Sequence, residues 1–325
     1  MTSKQFEEQI ARFLKEKQPF FFMISFDKQE MFAYTFKDAL EKNILFAING
    51  ITNANGHIPT SNTIPKALEV TPFPFASYLK RFEKVMEHLK KGNSFLLNLT
   101  FPSRISNTID LNTVFHNARA NYKLLYKDDF VCFSPECFIK IRGNTIYSYP
   151  MKGTIDATIE NAATQLLNDP KETQEHNTIV DLIRNDMAMI AKEVTVTKFR
   201  YVEKIRSARS EILQTSTEIR GKLPLTWQNN FAQLLLSLLP AGSVSGAPKT
   251  KTVEIINAVE NYKRGFYTGV FGIFDGENID SAVAIRFIEK NNGTLWYKSG
   301  GGITHNSNVK EEYVELLRKI YIPAV

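Results

Sequence analysis

Hydrophobic residues at helical spacing open the chain, and strand-like apolar runs follow them. The first set predicts an amphipathic helix and comprises Phe6, Ile10, Phe13 and Leu14. The apolar runs 20–24 and 44–48 each predict a buried strand. Residues 49–71 are mostly polar and rich in Asn and Pro. They predict a long loop, or a break between a small N-terminal piece and the main body.

Helical and strand-like patterns continue in groups along the rest of the chain. Residues 137–142 and 145–149 flank Gly143-Asn144 and predict a hairpin. The segment Asp169-Pro170-Lys171-Glu172 has a capping residue, a proline and an acidic residue in the order that begins a long helix. Further strands are predicted at 94–101, 122–126, 130–134, 193–199, 212–220, 267–274, 279–288 and 294–299, and further helices at 78–91, 231–239, 248–260 and 309–320.

The order of these elements predicts the fold class. Strands come in meander-like groups separated by helices and not in strict βαβ alternation, which indicates an α+β fold with layered, largely antiparallel sheets flanked by helices. We expect residues 1–73 to be a short N-terminal segment that completes the sheet layers. Residues 74–325 then form the main body.

Composition narrows the class of protein. Of 325 residues, 43% are hydrophobic and 23% charged, which is typical of a folded globular protein and excludes a disordered or collagen-like chain. The net charge of +6 is spread along the chain, so it does not favour nucleic-acid binding. Cys132 and Cys137 lack zinc-site spacing and are expected to be reduced. No apolar run is long enough for a membrane span, and we expect a cytoplasmic protein.

Two residues at the ends of the predicted hairpin are candidates for catalysis. Lys152 follows Pro150 and precedes Gly153, among apolar neighbours that would desolvate the amine, lower its pKa and free it for nucleophilic attack. Glu136 begins the hairpin, and a shielded carboxyl there could protonate a leaving hydroxyl. An exposed lysine and a solvated glutamate are the more frequent situations for such positions.

Carboxylates on two predicted helices are candidate metal ligands. Glu175 shares a helical row with Ile179, so its burial would require a cation. Glu312 and Glu315 are neighbours on one face of the last helix. Carboxylates from two helices can form an oxygen site for Mg²⁺, and ordinary solvated helix faces are the alternative.

Glycine-rich segments and a strand arginine could bind an anion. The segment 242–249 precedes a helix, and Gly300-Gly301-Gly302 follows a strand; both can expose backbone N–H groups to a carboxylate or a phosphate. Arg286 interrupts an apolar strand and needs an anionic partner, which a structural salt bridge would equally provide.

The order and wording of these segments resemble the chorismate-utilising enzymes. The resemblance covers about residues 74–320 and rests on SPECF, PMKGT, EHNTIVDLIRND, PAGSVSGAPK, RGFYTGVFG, VAIRF, SGGGI and EEYVE. It implies a chorismate-binding fold, with 74–325 as the catalytic domain and Mg²⁺ and substrate held in a cleft between two sheets.

Two positions indicate the activity within the family. Isochorismate and salicylate synthases carry a water-activating lysine where this chain has Leu96. Anthranilate synthases carry alanine where this chain has Lys152, whereas aminodeoxychorismate synthases carry lysine there. The resemblance therefore implies formation of 4-amino-4-deoxychorismate, the precursor of p-aminobenzoate in folate biosynthesis. An anthranilate synthase component I-like enzyme and a non-catalytic chorismate-binding subunit are the alternatives.

The resemblance also implies a role for each site residue. Lys152 would attack C2 of chorismate, and Glu136 would protonate the departing 4-hydroxyl. Glu175 and Glu312 would hold Mg²⁺, with Glu315 close to them. The side-chain carboxylate of the substrate would be bound by Arg286, Tyr267 and the N–H groups of Gly301 and Gly302. Gly246 and Ala247 would shape the wall near the metal, with Thr154 and Lys249 as further substrate-binding candidates.

The family also implies a partner, and the chain departs from the family pattern at several positions. Ammonia would come from a separate glutamine amidotransferase subunit, with free ammonium as a substitute in vitro. Leu96 replaces a glutamine common in the amino-transferring enzymes, Gln214 stands near a usual histidine, and Phe287 follows Arg286 in place of a usual threonine. None of these departures changes Lys152 or Glu136.

Overall fold

The computed structural model describes residues 1–56, 68–206 and 211–323. Part of the predicted 49–71 loop, residues 57–67, therefore lies outside the described residues. The helices in the described ranges are α1 (Ser3–Lys15), α2 (Phe36–Glu41), α3 (Phe75–Lys90), α4 (Leu111–Asn117), α5 (Ala162–Asn168), α6 (Pro170–Ala188), α7 (Trp227–Leu238), α8 (Lys249–Glu260) and α9 (Val309–Arg318).

The first sheet combines strands from the start, the middle and the end of the chain. Its strands are β1 (Phe20–Ile24), β2 (Met31–Thr35), β9 (Cys137–Arg142), β10 (Thr145–Ser148), β11 (Met151–Asp156), β12 (Lys192–Arg206), β13 (Glu211–Lys222), β15 (Val270–Phe274) and β16 (Ile279–Val283). Their order is β11-β13-β10-β9-β16-β15-β1-β2, and β12 also pairs with β13.

The second sheet is likewise discontinuous in sequence. Its strands are β3 (Ile44–Ile48), β4 (Ile51–Thr52), β5 (Val70–Thr71), β6 (Leu96–Ile105), β7 (Tyr122–Tyr126), β8 (Phe130–Ser134), β14 (Gly246–Ala247), β17 (Phe287–Asn291) and β18 (Thr294–Ile303). Their order is β14-β6-β18-β17-β8-β7-β3-β4, and β5 also pairs with β6.

The two sheets pack face to face between layers of helices. Phe21 and Phe271 of the first sheet share one apolar cluster with Phe46 and Phe287 of the second. Helices α1, α6 and α7 cover the other face of the first sheet, and α3, α4, α8 and α9 cover the other face of the second. All strand pairings in the described ranges are antiparallel, which confirms the predicted α+β fold. No helix in these ranges is long and apolar enough to cross a membrane.

The N-terminal segment is built into the sheets. Strand β1 lies between β15 and β2, and its five residues are all buried. The predicted helical face of α1 is buried against this sheet, which confirms that prediction. Because β3 and β4 belong to the second sheet, residues before position 73 contribute to both layers.

The predicted strand 279–288 is wrong as a single element. Residues 279–283 form β16 in the first sheet, whereas residues 287–291 form β17 in the second. The chain changes sheets between them, and Arg286 adopts a left-handed φ of 53° there. The sequence did not indicate this crossing, because both strands are buried and the apolar pattern continues from one to the other. The crossing places Arg286 between the two sheets.

The three consecutive glycines do not form a loop. Gly300, Gly301 and Gly302 continue β18 and pair with Thr100, Leu99 and Asn98 of β6. The pairing of β17 with β18 does not extend beyond Lys298, which is opposite Phe287, so the glycines have a paired strand on one edge only. Their other edge is open to the space beside Arg286.

Candidate active site

Helix α6 and strand β11 bring the candidate nucleophile to a carboxylate. The Asp169 carboxylate accepts the N–H of Glu172 at 2.9 Å and fixes the start of α6. One turn further along, the Glu175 carboxylate lies 3.1 Å from the Lys152 ammonium on β11. Gly153 has a φ of 76° and lies at a register shift in β11, directly after the pair that Lys152 forms with Thr215 of β13.

Helix α9 supplies two more carboxylates from the opposite side. The Asn308 side chain caps the helix by accepting the N–H groups of the next turn. The Glu312 carboxylate is buried and accepts the Ser307 hydroxyl at 2.8 Å. Glu315 lies 2.7 Å from Lys319, whose ammonium also donates to the carbonyl of Gly300 at 3.0 Å.

Glu172, Glu175, Glu312 and Glu315 form what we call the carboxylate cluster. Burial raises the pKa of Glu312, and the charges of Glu315 and Glu175 raise it further. Burial likewise raises the pKa of Glu172, and Glu175 adds to the effect. Burial acts in the same direction on Glu315, but Lys319 more than offsets it and holds that pKa below the usual value. The cluster therefore has a surplus of negative charge that favours a cation.

The ammonium of Lys152 neutralises part of that charge. Burial favours a low pKa for this amine, as the sequence suggests, but Glu175 reverses the effect and the pKa is raised. The prediction that the pKa of Lys152 is lowered is therefore wrong. Lys152 has to separate from Glu175 before its amine can act as a nucleophile.

The donor atoms of the carboxylate cluster are of the type that binds a divalent cation. Four carboxylates are hard oxygen ligands of the kind that Mg²⁺ prefers. Within the described residues, no three acidic, histidine or cysteine side chains converge closely enough to hold a metal ion as they stand. In this arrangement Lys152 is the cation beside Glu175.

Glu136 lies just before β9 and contacts the glycine-rich turn. Burial raises the pKa of its carboxyl, while a hydrogen bond donated by Ser243 and the charges of Arg286 and Lys152 act against the rise. The two predicted catalytic residues are not neighbours across the hairpin, since β11 pairs with β13 and not with β9. They nevertheless interact electrostatically across one cleft.

Replacing Ser243 with alanine tests the acid role of Glu136. The hydroxyl lowers the pKa of Glu136, so its removal should raise that pKa further. If protonated Glu136 is the active form, the alkaline limb of the pH–rate profile should move to higher pH in Ser243→Ala. In Ser243→Thr, which keeps a hydroxyl, the limb should lie at its wild-type position. An unchanged alkaline limb in Ser243→Ala would contradict the assignment.

Arg286 and Tyr267 face the same cleft. The Arg286 guanidinium forms no ion pair with an acidic side chain in the described part of the chain; it interacts electrostatically with Glu136 and Lys319, and several tyrosines lie near it. Tyr267 is buried, and its ring lies 5.7 Å from that of Phe287. A buried cation that forms no direct ion pair suits a substrate carboxylate.

The pairing of β18 decides which glycine N–H groups are available. Asn98 and Thr100 direct their N–H groups away from β18, to the Ser245 carbonyl and the Glu260 carboxylate. In an antiparallel pair, two residues opposite each other either both point their N–H groups toward the partner strand or both point them away from it. Gly300 is opposite Thr100 and Gly302 is opposite Asn98, so the N–H groups of both glycines point away from β6, to the open edge. The prediction that Gly301 donates to the substrate is wrong, because its N–H faces Leu99.

The remaining predicted residues lie around this cleft in different ways. A side chain on Gly246 would overlap the Leu96 carbonyl, so the close approach of β14 and β6 requires glycine. Ala247 pairs with Leu96 beside it. The Lys249 ammonium lies 2.9 Å from Asp186 and donates to the Leu238 carbonyl at 2.7 Å. These contacts hold the start of α8 and do not present Lys249 to the cleft.

Thr154 lies at the surface, and three further residues belong to the site although the sequence did not predict them. Thr154 is exposed, and its hydroxyl forms no hydrogen bond within the described residues. Sequence reasoning missed Glu172, Ser243 and Lys319 as site residues. Glu172 was visible only as the acidic residue in the first turn of the predicted long helix, and Lys319 stands four residues after Glu315, which is an ordinary spacing for a helical ion pair. The glycine-rich turn that contains Ser243 was the available signal for the third.

Comparison with known proteins shows the family of the chain. The family model described as chorismate binding enzyme matches residues 35–324. The chain belongs to this family, which confirms the resemblance.

Two relatives represent the particular proteins that the chain is similar to. An uncharacterized PabA-like protein of Pasteurella multocida is 51% identical over 99% of both chains. Aminodeoxychorismate synthase component 1 of Bacillus subtilis is 28% identical over 77% of this chain and 55% of the relative.

Solved structures have the same fold. Anthranilate synthase component I from Streptococcus pneumoniae is 29% identical, with a TM-score of 0.67 over 81% of this chain and 62% of that one. The menaquinone-specific isochorismate synthase of Escherichia coli has a TM-score of 0.72 over 97% of this chain and 80% of that one, at 14% identity. The second likeness concerns the fold alone.

Proposed function

We propose that the protein is an aminodeoxychorismate synthase component I, which converts chorismate and ammonia to 4-amino-4-deoxychorismate for p-aminobenzoate and folate synthesis. The observation that carries this proposal is the position of Lys152. Its amine lies 3.1 Å from Glu175 in a cleft that also contains the acid Glu136 and the cation Arg286. An amine, an acid and a carboxylate-binding cation are what an addition–elimination on chorismate requires.

The first half-reaction makes a covalent adduct. Lys152 first releases its extra proton to solvent; the neutral Nζ then bonds to C2 of the ring, the ring double bonds shift, and the C4–O bond breaks. Glu136 donates its proton so that the hydroxyl leaves as water. The raised pKa of Glu136 supports this role, because the carboxyl keeps its proton to higher pH than an exposed glutamate.

The second half-reaction releases the lysine. Ammonia bonds to C4, the double bonds shift back, and the C2–Nζ bond breaks. Glu136 recovers its proton from the added nitrogen, and Lys152 returns as the free amine. Chorismate and ammonia thereby give aminodeoxychorismate and water, with no oxidant or reductant consumed.

Binding residues orient the substrate for both steps. Arg286, Tyr267 and the N–H groups of Gly300 and Gly302 would bind the enolpyruvyl carboxylate. Glu175 and Glu312 would hold Mg²⁺, with Glu172 and Glu315 beside them. When bound, Mg²⁺ would supply the positive charge that attracts the ring carboxylate and would replace Lys152 as the counter-ion of Glu175.

Ammonia would be delivered by a glutamine amidotransferase subunit. The name of the Bacillus subtilis relative, component 1, supports a second component. Free ammonium at mildly alkaline pH should then replace that partner in vitro.

Mass spectrometry of the products is the direct test. Purified protein is incubated with chorismate, Mg²⁺ and ammonium, and a parallel sample contains EDTA. A product with the mass of aminodeoxychorismate that EDTA suppresses is the expected result. Anthranilate as the product would favour the anthranilate synthase alternative, and tightly bound but unconsumed chorismate would indicate a binding subunit.

A further inference from the structure

Two buried polar atoms beside the candidate active site have no hydrogen-bond partner within the described residues. They are the hydroxyl oxygen of Ser299 and the Nε of Arg286. The Ser299 side chain belongs to a residue only 4% exposed. Leaving a buried hydroxyl without a partner costs stability, so such a group in a native structure requires an explanation, and a bound ligand is one.

The register of the second sheet places these two residues opposite each other. Strand β17 begins at Phe287, which pairs with Lys298 of β18. One step beyond that pair, Arg286 lies opposite Ser299 at the open end of the ladder. Both residues therefore line the space where β18 has no neighbour on its β17 side.

The surrounding side chains show which face of β18 is involved. Side chains alternate along a strand, so Ser299 shares its face with Tyr297 and the position of Gly301. The Tyr297 hydroxyl donates to the Tyr321 carbonyl at 2.8 Å, and the Tyr321 ring lies 5.2 Å from the Arg286 guanidinium carbon. Ser299 is thus on the face that the guanidinium occupies.

Two cations and one carboxylate lie near that face. A Cβ added to Gly301, two residues along the same face from Ser299, would lie 3.7 Å from the Lys319 ammonium and 3.6 Å from a Glu312 carboxylate oxygen. Arg286 and Lys319 interact electrostatically, and Arg286 forms no ion pair with an acidic side chain among the described residues, although its charge lowers the pKa of Glu136. A hydroxyl donor between two cations complements a carboxylate, which offers two oxygens and several lone pairs.

We propose that the Ser299 hydroxyl donates a hydrogen bond to the same substrate carboxylate that Arg286 binds, and that Ser299 is therefore a further substrate-binding residue. The inference rests on the proposed function, since the carboxylate is that of the enolpyruvyl side chain of chorismate. Ser299 acts in binding and exchanges no proton with the ring.

Ser299→Ala tests this role by separating affinity from stability. Loss of a hydrogen bond to a charged group should weaken chorismate binding about tenfold or more, measured by calorimetry in ammonium-free buffer. The KM for chorismate should rise by the same factor while kcat changes little. The melting temperature of the ligand-free variant should not fall, because the hydroxyl has no partner to lose.

A second serine provides the matched control. The buried Ser281 hydroxyl donates to the Ile139 carbonyl at 2.7 Å, so Ser281→Ala should lower the melting temperature and leave the chorismate affinity unchanged. Equal affinities of wild type and Ser299→Ala would overturn the inference, as would a Ser299→Ala variant that loses stability and affinity together. Wild-type protein that does not bind chorismate would overturn the proposed function itself.

Discussion

Lys152→Ala should lower the rate of aminodeoxychorismate formation by at least about 10³-fold, because the variant lacks the amine that forms the covalent adduct. Chorismate affinity should change far less, since Arg286 and the glycine N–H groups are unaltered. The measurement is kcat and KM with ammonium as the nitrogen source. Wild-type protein without ammonium should in addition gain mass equal to chorismate minus water.

Lys152→Arg separates chemistry from charge. Arginine keeps a cation beside Glu175 but cannot supply a neutral amine at accessible pH. This variant should be as inactive as Lys152→Ala and as stable as wild type. Lys198→Ala, which removes an exposed lysine on β12, should keep full activity. Substantial turnover by Lys152→Arg would show that the residue acts only through its charge.

Glu312→Gln should lower activity at least about 100-fold while making the protein more stable. The amide removes a carboxylate proposed to hold Mg²⁺, so the Mg²⁺ concentration that supports half-maximal rate should rise. Folding raises the pKa of Glu312, so the charged form is disfavoured in the fold at neutral pH. Replacing the carboxylate with a neutral amide removes that penalty, and the amide oxygen can still accept the Ser307 hydroxyl.

The neighbouring residue serves as the control for this variant. Glu311 is exposed on the same helix and lies 3.5 Å from Lys171. Glu311→Gln should leave the Mg²⁺ dependence and the rate unchanged. The measurements are Mg²⁺ titrations of activity and chemical denaturation at pH 7 and at pH 4. The stability gain of Glu312→Gln should shrink at pH 4, where Glu312 is protonated in the folded state. A variant with lower stability and wild-type Mg²⁺ dependence would contradict the assignment.

Local patterns were sufficient to predict most elements of the fold. The face of α1, the apolar run of β1, the hairpin of β9 and β10 and the capped start of α6 all lie within a few residues of their predicted bounds. Each depends on side-chain periodicity or on turn and capping residues, which act over short distances. Pairings between distant strands have no such local signal.

The errors concern contacts between distant parts of the chain. The crossing at Arg286 was hidden because both β16 and β17 are apolar and buried. The N–H direction of Gly301 follows from the pairing of β18 with β6, and the raised pKa of Lys152 follows from a carboxylate on α6. Sequence could therefore predict which residue types take part, but not how their charges and donors are oriented.

The central position of β1 also has a consequence for biosynthesis. Residues 20–24 leave the ribosome early, yet the strand they pair with is residues 270–274, synthesised near the end. During most of translation, this apolar segment lacks the partner that will cover its edge, so the first sheet can close only after synthesis is nearly finished. Codon changes that slow the ribosome before residue 270 should therefore lower the soluble yield.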